Sequence, residues 1–139
     1  MKTELEGRTR DFAIAIVKFV RSFPRTVDGI EVGRQLLRSA CSIGANYREG
    51  NRSESKSDFT HKVGVAEKEA SETTYWLEIC LGSQLGAPDE ARRLLKEAGE
   101  LLAIITTIGR KAKGRSRAVT KAVVSVIGLA GLCVWFSYF

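Results

Sequence analysis

Residues 42–59 read SIGANYREGNRSESKSDF and contain the polar break on which the fold depends. Glycine, asparagine and serine are frequent in this stretch, as they are in loops and nucleotide-binding turns. The apolar spacing before it nevertheless continues through Tyr47, which indicates that SIGANYREG closes a helix. A short polar turn near residues 51–54 then leads to a new helix, because the hydroxyl of Ser55 or Ser57 can cap free backbone N–H groups.

The same stretch lacks the features of a phosphate-binding loop. It has no GxxxxGK[ST] sequence, and no predicted strand precedes its glycines. The small residues of this second helix are Gly33, Ala40, Gly44 and Ala45. Each internal glycine costs about 1 kcal/mol relative to alanine. We therefore expect a neighbouring helix to approach closely here, since close packing offsets that cost.

Four segments share the three- and four-residue spacing of apolar positions that is typical of amphipathic helices. We predict the first from Arg8 to Phe23 and the second from the TVDG turn to the GANYREG motif. The third ends near Leu81, and the fourth follows the GAPDE break and reaches Ile108. No window alternates with period two for long enough to predict a strand. The sequence therefore predicts an all-α, antiparallel up-down-up-down four-helix bundle with an apolar C-terminal extension.

Two helices carry a second, partly polar stripe beside the apolar one. Its members are Arg38, Ser42, Asn46 and Glu49 on the second helix and Glu69, Glu72 and Trp76 on the third. We predict a polar network or oligomer interface here, because buried amides and carboxylates must find partners. A second-helix arginine (Arg34, Arg38 or Arg48) would then pair with a third-helix glutamate, within or between subunits. In the alternative, Trp76 only widens the core.

Positive charge is concentrated towards the C-terminus. The chain has 22 Lys and Arg against 16 Asp and Glu, a formal net charge of +6. After residue 105 the basic residues have no acidic residue among them, which favours contact with the phosphates of nucleic acid or lipid. The candidate nucleic-acid contacts are Arg8, Arg10, Arg21, Arg25, Arg110, Lys111, Lys113, Arg115 and Arg117. Aromatic residues for base stacking are not interleaved with them.

Nothing in the sequence predicts an enzyme, a metal site or a cofactor. The single histidine, His61, and three widely spaced cysteines provide no metal-ligand set. Glu69 and Glu72 fit a structural role better than a general acid–base pair. The odd number of cysteines and the N-terminal MKTELEGRTRDF, which lacks a basic-then-apolar leader, predict a cytoplasmic protein.

A bundle of residues 1–113 is followed by a predicted second unit, a basic linker and apolar helix at 114–139. Residues 122–139, AVVSVIGLAGLCVWFSYF, carry no charge. Eighteen helical residues span about 27 Å, close to the roughly 30 Å of a bilayer core. Three interpretations stay open: a tether to the inner membrane with the basic run on its cytoplasmic side, a helix docked on its own bundle, or an extension acquired by lost termination.

Three motifs occur in order and carry a family resemblance. They are S-x-GANYRE-[AG] at 42–50, R-x-S-x-x-DF at 52–59 and EA-x-ET-x-YWLE at 69–78. Over about residues 8–113 the chain resembles the four helix bundle protein family, also known as the 23S ribosomal RNA intervening-sequence proteins. This family is related to the accessory variability determinant proteins of diversity-generating retroelements. The matching positions are Arg38, Ser42, Asn46, Tyr47, Glu49, Asp58, Glu69, Glu72, Tyr75 and Trp76.

The resemblance implies a small bacterial bundle that assembles as a barrel-like homopentamer and has no established catalytic activity. It implies structured RNA or DNA as partner, or a nucleic-acid-handling protein such as a reverse transcriptase. We therefore expect a non-enzymatic homo-oligomer that binds nucleic acid through basic surface. The alternative is a protein-interaction scaffold that holds a partner around Trp76 and is tethered to a membrane by residues 122–139.

Overall fold

The computed structural model describes the backbone of residues 2–136 and the side chains of residues 3–114. This part of the chain forms four helices, α1 (Lys2–Val20), α2 (Val27–Asn51), α3 (Lys56–Gly82) and α4 (Pro88–Phe136). Each helix packs against the next, α4 returns to α1, and within the described chain no contacts cross the diagonals. The fold is therefore the predicted all-α, antiparallel four-helix bundle.

The core lies along the axis between the four helices. Its central side chains are Phe12, Ile16 and Phe19 of α1, Leu36, Ala40 and Ile43 of α2, Val63, Ala66 and Leu77 of α3, and Leu94, Leu101 and Ile105 of α4. Each of them is at most 4% exposed. They recur at intervals of three or four residues, or at sums of these, along each helix, so the apolar spacing in the sequence identified the buried face of every helix.

The helices begin and end at local signals. Thr26 and Ser55 each accept a hydrogen bond from the backbone N–H three residues later, at 3.3 and 3.0 Å. Of the two serines considered for the cap of α3, the structure uses Ser55. Gly86 has a φ of 75°, a left-handed conformation that glycine adopts without steric cost, and it reverses the chain two residues before α4. Pro88 is the first residue of α4, where its missing N–H has no helical partner to lose.

The bounds of α1 differ from the predicted Arg8–Phe23, since α1 covers Lys2–Val20. The buried face extends one turn further back than predicted, because Leu5 and Thr9 are both buried. The Thr9 hydroxyl donates to the Leu5 carbonyl at 3.0 Å, which hides a polar residue within an apolar face. At the other end, Ser22 and Phe23 form a tighter turn with i−3 carbonyls before Pro24, which cannot continue the helix.

The last helix passes its predicted end at Ile108 and reaches Phe136. Ala112 is still buried, so core contact continues for about one turn beyond Ile108. The predicted division at residue 113 stays a prediction. The segment 122–139 and the candidate contacts Arg115 and Arg117 lie outside the residues whose side chains are described. Within residues 3–114, no helix has a stretch that is both long and apolar enough to cross a membrane.

Helices α1 and α2 pack closely against each other at Gly44. A methyl group at this position would lie 3.1 Å from Thr9 Oγ1 and 3.3 Å from Thr9 Cβ, closer than ordinary van der Waals contact. The absence of a side chain at Gly44 therefore lets α2 lie directly against α1. The expectation of a close helix approach at the small residues of α2 is confirmed at this position.

Gly44→Leu should destabilise the bundle by about 1–3 kcal/mol, because the new side chain overpacks the α1–α2 contact against Thr9. Urea denaturation followed by circular dichroism measures this free energy. Gly64→Ala is the control, since a Cβ at Gly64 meets nothing within 4 Å. It should gain up to about 1 kcal/mol from helix propensity. A Gly44→Leu protein as stable as the wild type would show that α1 and α2 do not pack at this contact.

Candidate functional site

The polar stripes of α2 and α3 meet at Arg38. Its guanidinium donates a hydrogen bond to Glu72 Oε1, and Nη1 lies 3.6 Å from Glu69 Oε1. The Trp76 indole Nε1 donates to the same Glu72 oxygen at 3.2 Å. One arginine of α2 therefore gathers two carboxylates of α3, and the indole one turn further on supports the second of them. We refer to Arg38, Glu69, Glu72 and Trp76 as the Arg38 cluster.

The two glutamates of the Arg38 cluster have different surroundings. Hydrogen bonds from Arg38, and then from Trp76, stabilise the Glu72 carboxylate and hold its pKa below its ordinary value. The side chain of Glu69 is only 17% exposed, against 35% for Glu72. Glu69 Oε2 is buried and has no hydrogen-bond partner among the described residues. Such an atom opposes folding by about 1–3 kcal/mol, so it is the least satisfied group of the cluster.

The remaining members of the predicted network lie apart from the Arg38 cluster. Asn46 Nδ2 donates to the backbone carbonyl of Ser42, one turn earlier in α2, at 2.9 Å. Glu49 accepts from Lys62 Nζ of α3 at 2.6 Å. The seven residues predicted as one network therefore form one cluster, one bond within α2 and one separate ion pair between α2 and α3.

Of the three arginines considered for pairing with α3, Arg38 alone contacts these glutamates within the described chain. Arg34 pairs at 2.7 Å with Glu31, one turn earlier on its own helix. Arg48 lies 3.7 Å from Glu6 of α1. At about 100° per residue, Arg48 lies about 80° around α2 from Arg38, on a side of the helix that reaches α1 instead of α3.

Sequence reasoning missed a buried hydroxyl pair at the α2–α3 contact. The Thr73 hydroxyl donates to Ser39 Oγ at 3.0 Å, and both residues are completely buried. Thr73 occupies a core position in the three- and four-residue spacing of α3, between Ala70 and Leu77. The available signal was the occurrence of a hydroxyl residue at a core position in each of two consecutive helices.

The exposed aromatic side chain beside the Arg38 cluster is Tyr75. Trp76 is half-buried and packs against the core, in agreement with the alternative in which it widens the core. Tyr75 is 53% exposed, and its ring meets that of Trp76 edge-on with centroids 5.2 Å apart. Tyrosine is enriched in protein–protein interfaces relative to the rest of the surface.

The predicted phosphate contacts do not form one continuous surface. Arg21 and Arg25 lie in the α1–α2 turn, at the end of the bundle where α4 begins. Arg110, Lys111 and Lys113 lie about 33 Å further along α4 at a rise of 1.5 Å per residue, which places them at the opposite end. The candidate phosphate contacts therefore lie at both ends of the bundle, which charge along the sequence does not show, and their role in nucleic-acid binding stays a prediction.

Two of the predicted contacts are engaged by acidic side chains. Arg8 donates to both carboxylate oxygens of Glu97, at 2.6 and 2.9 Å, and to Glu100 at 2.5 Å, and so connects α1 to α4. These bonds hold the pKa of Glu97 below its ordinary value. Arg10 pairs with Asp11 at 2.9 Å. The candidates that are exposed and have no ion pair among the described residues are Arg21, Arg25, Arg110, Lys111 and Lys113.

A groove between α3 and α4 has a volume of about 1140 Å³. Arg110 and Lys113 line its α4 wall, and His61 and Lys68 line its α3 wall. Sequence reasoning did not connect the last two with this surface. Their spacing of seven residues places them on one face of α3, but the α4 residues opposite them are defined only by the packing of the two helices.

Residues 3–114 contain no group of three or more His, Cys, Asp or Glu side chains that could hold a metal ion. Cys80 is buried in the core, and burial raises the pKa of its thiol to about 11. The thiolate is the reactive form of cysteine, so at neutral pH this residue acts as a small apolar side chain.

A family model for the 23S rRNA-intervening sequence proteins matches residues 2–107. The chain belongs to this family. A crystal structure of a protein of unknown function from the S23 ribosomal protein family of Bacteroides thetaiotaomicron is also similar, with a TM-score of 0.69 and 29% sequence identity over 79% of this chain and 99% of that one. No curated protein sequence matches the chain.

The family resemblance inferred from the GANYRE and YWLE motifs is thereby confirmed. In this 23S rRNA-intervening sequence protein, the matched range includes the Arg38 cluster and Tyr75. It ends at residue 107, before Arg110. The basic end of α4 is therefore a feature of this chain that lies beyond the part matched by the family model.

Glu72→Gln should lower the stability of this intervening-sequence protein at neutral pH by about 0.2–1 kcal/mol, because a neutral amide pairs less strongly with Arg38. The folded-state pKa of Glu72 lies below its ordinary value of 4.5. The carboxylate therefore contributes stability above that value, and the contribution is lost as the pH falls through the folded-state pKa. The difference between wild type and variant should accordingly shrink in acid.

Urea denaturation at pH 7 and at pH 3 measures this difference. Glu78→Gln is the charge-matched control, because Glu78 is exposed on the same helix and has no ion pair among the described residues. A stability difference between wild type and Glu72→Gln that is equal at both pH values would contradict the pairing of Glu72 with Arg38.

Proposed function

We propose that this protein is a non-enzymatic, homo-oligomeric helical bundle that binds structured RNA or DNA through the basic end of α4. The observation that carries the proposal is that the cationic side chains of Arg110, Lys111 and Lys113 are available to a ligand. All three are exposed, and none has an ion pair among the described residues. Cations in this state can neutralise phosphates and release their counterions without first breaking an internal pair.

Two further observations support nucleic acid as the ligand. The sequence continues beyond Lys113 with Arg115, Arg117 and Lys121, and no acidic residue occurs between 101 and 139. By contrast, Arg8 makes three hydrogen bonds to carboxylates, so a phosphate would have to displace them. We therefore retain the α4 candidates as phosphate contacts and place Arg8 and Arg10 in structural ion pairs.

Replacing Arg110, Lys111 and Lys113 together by glutamine should reduce the salt dependence of nucleic-acid binding. Each lost phosphate contact lowers the slope of log affinity against log salt by about 0.9 for a duplex, so three contacts lower it by about 2.7. Fluorescence polarisation with a labelled 23S rRNA fragment in a salt series measures the slope.

The matched control replaces Lys18, Arg92 and Lys96, which are exposed elsewhere on the bundle, by glutamine. It removes the same charge and should leave the slope close to that of the wild type. A wild-type protein that forms no complex with RNA or DNA, or one whose affinity does not respond to salt, would contradict the proposal.

The self-association in the proposal is supported by the surface formed by the Arg38 cluster and by Tyr75, whose ring contacts Trp76. More than half of the Tyr75 side chain is exposed, and Glu69 Oε2 is buried without a partner among the described residues. A second subunit on this face would bury the ring, and any donor it brought to Glu69 would relieve the unpaired oxygen. Five subunits is the number that the family resemblance implies.

Tyr75→Arg should reduce the mass of the oligomer at micromolar concentration, because a guanidinium replaces an aromatic contact at the interface. Multi-angle light scattering measures the mass. Ile14→Arg is the control, since Ile14 is 46% exposed on α1, away from this face. A monomeric wild type would contradict self-association, and an oligomer of unchanged mass in Tyr75→Arg would exclude Tyr75 from the interface.

The same face favours an alternative function. In a protein-interaction scaffold, Tyr75 and Trp76 would contact another protein, such as a reverse transcriptase, instead of a second copy of the chain. Residues 122–139 would then tether the bundle to the inner membrane. The cytoplasmic location likewise stays a prediction.

A further inference from the structure

The α3–α4 groove carries more positive than negative side chains. Lys68 on α3 and Arg110 and Lys113 on α4 line it, and all three are exposed with no ion pair among the described residues. One carboxylate, Glu67, also lines it. The Thr106 hydroxyl donates to that carboxylate at 2.9 Å and so holds it against the α4 wall. The groove therefore attracts anions and adjoins the basic end of α4.

Three other concave surfaces of the described chain are closer to charge balance or have their cations paired. The surface at the α2–α3 turn is lined by the charged residues Arg48, Arg52, Lys62, Glu49, Glu54 and Asp58. The charged residues of the α1–α4 groove are Arg8, Arg93, Glu4, Asp11 and Glu97. The α1–α2 groove has two arginines, and each of them pairs with a carboxylate. Of these four surfaces, the α3–α4 groove is accordingly the most favourable for binding a phosphodiester backbone.

The α3–α4 groove is also lined by hydroxyl residues, namely Ser57, Thr60 and Ser71. His61 supplies the one aromatic ring among the lining residues. Cationic and hydroxyl side chains donate to phosphate oxygens, whereas unpaired bases are held mainly by stacking on a series of aromatic rings. This lining therefore suits the backbone of a duplex better than the bases of a single strand.

We propose that the α3–α4 groove binds the phosphodiester backbone of a nucleic-acid duplex, so that Lys68 and His61 of α3 contact the ligand together with Arg110 and Lys113 of α4. This inference rests on the proposed nucleic-acid binding. It adds the α3 side of the groove as a second contact surface and identifies the ligand as a duplex. Contacts to phosphate carry no base information. The groove thus selects a duplex by charge and shape, with little dependence on base sequence.

Gly64 permits a direct test, because it lines the groove between His61 and Lys68 and a Cβ at this position meets nothing within 4 Å. Gly64→Glu therefore introduces a carboxylate at the groove without a clash at Cβ. Gly7→Glu is the matched control, since Gly7 is also helical, is equally unobstructed and lines the α1–α4 groove. Both variants change the net charge by the same amount.

The experiment uses the full chain and a labelled RNA duplex in a salt series, followed by fluorescence polarisation. Gly64→Glu should weaken duplex binding by about tenfold or more, because like charges oppose each other across the interface. Lys68→Gln should lower the salt slope by about 0.9, the effect of one phosphate contact. Gly7→Glu and Lys18→Gln should bind like the wild type, and a duplex of scrambled sequence should bind with similar affinity.

The outcomes separate this proposal from the more general one. If the wild type binds no nucleic acid, both fail. If the wild type binds and the α4 triple variant is impaired, while Gly64→Glu and Lys68→Gln match their controls, the groove is excluded and binding by α4 stands. If these two variants lose binding to phosphatidylglycerol vesicles but keep duplex binding, the groove faces lipid and the proposal is overturned.

Discussion

The bundle depends on how closely α2 can lie against its two neighbours. On the α1 side, a methyl group at Gly44 would lie only 3.1 Å from Thr9 Oγ1, which is tighter than ordinary van der Waals contact. On the α3 side, the hydroxyls of Ser39 and Thr73 meet at 3.0 Å. Short hydroxyl side chains that satisfy one another, or their own backbone, permit such approaches without leaving an unpaired polar group. The resulting spacing brings Arg38 within reach of the α3 glutamates and so determines the position of the Arg38 cluster.

The apolar spacing predicted the four helices because burial on one side repeats with the helical period, and that period is written in the sequence. It misplaced the start of α1 for a physical reason. Thr9 lies between Leu5 and Phe12 on the buried face, and because threonine is a polar residue type, the apolar spacing does not connect Leu5 to the helix. Thr9 is nevertheless 1% exposed, since its hydroxyl bonds to its own helix. The use of Ser55 over Ser57 as a cap could not be predicted either, since both hydroxyls precede suitable backbone N–H groups.

The candidate sites were less predictable, because they depend on how one helix is rotated against the next. The sequence indicated that Arg38 shares a stripe with Asn46, but Arg38 reaches the glutamates of α3 whereas Asn46 bonds to the backbone of its own helix. In the same way, the sequence grouped Arg8 with the candidate phosphate contacts, whereas the structure shows it in an ion pair with Glu97. His61 and Lys68 gained a candidate role only when α4 positioned Arg110 opposite them.

The ion pairs of Arg8 have a further consequence for the dynamics of the bundle. Among the four helices, α1 has the smallest share of interhelical contacts, and it meets α4 at few positions. The ion pairs of Arg8 with Glu97 and Glu100 hold α1 against α4 at the protein surface. Dissolved salt screens such surface pairs and weakens them. Local opening requires the least free energy where buried apolar contact is sparse. We therefore expect the backbone amides of α1 to exchange with solvent before those of α3, which is enclosed by α2 and α4.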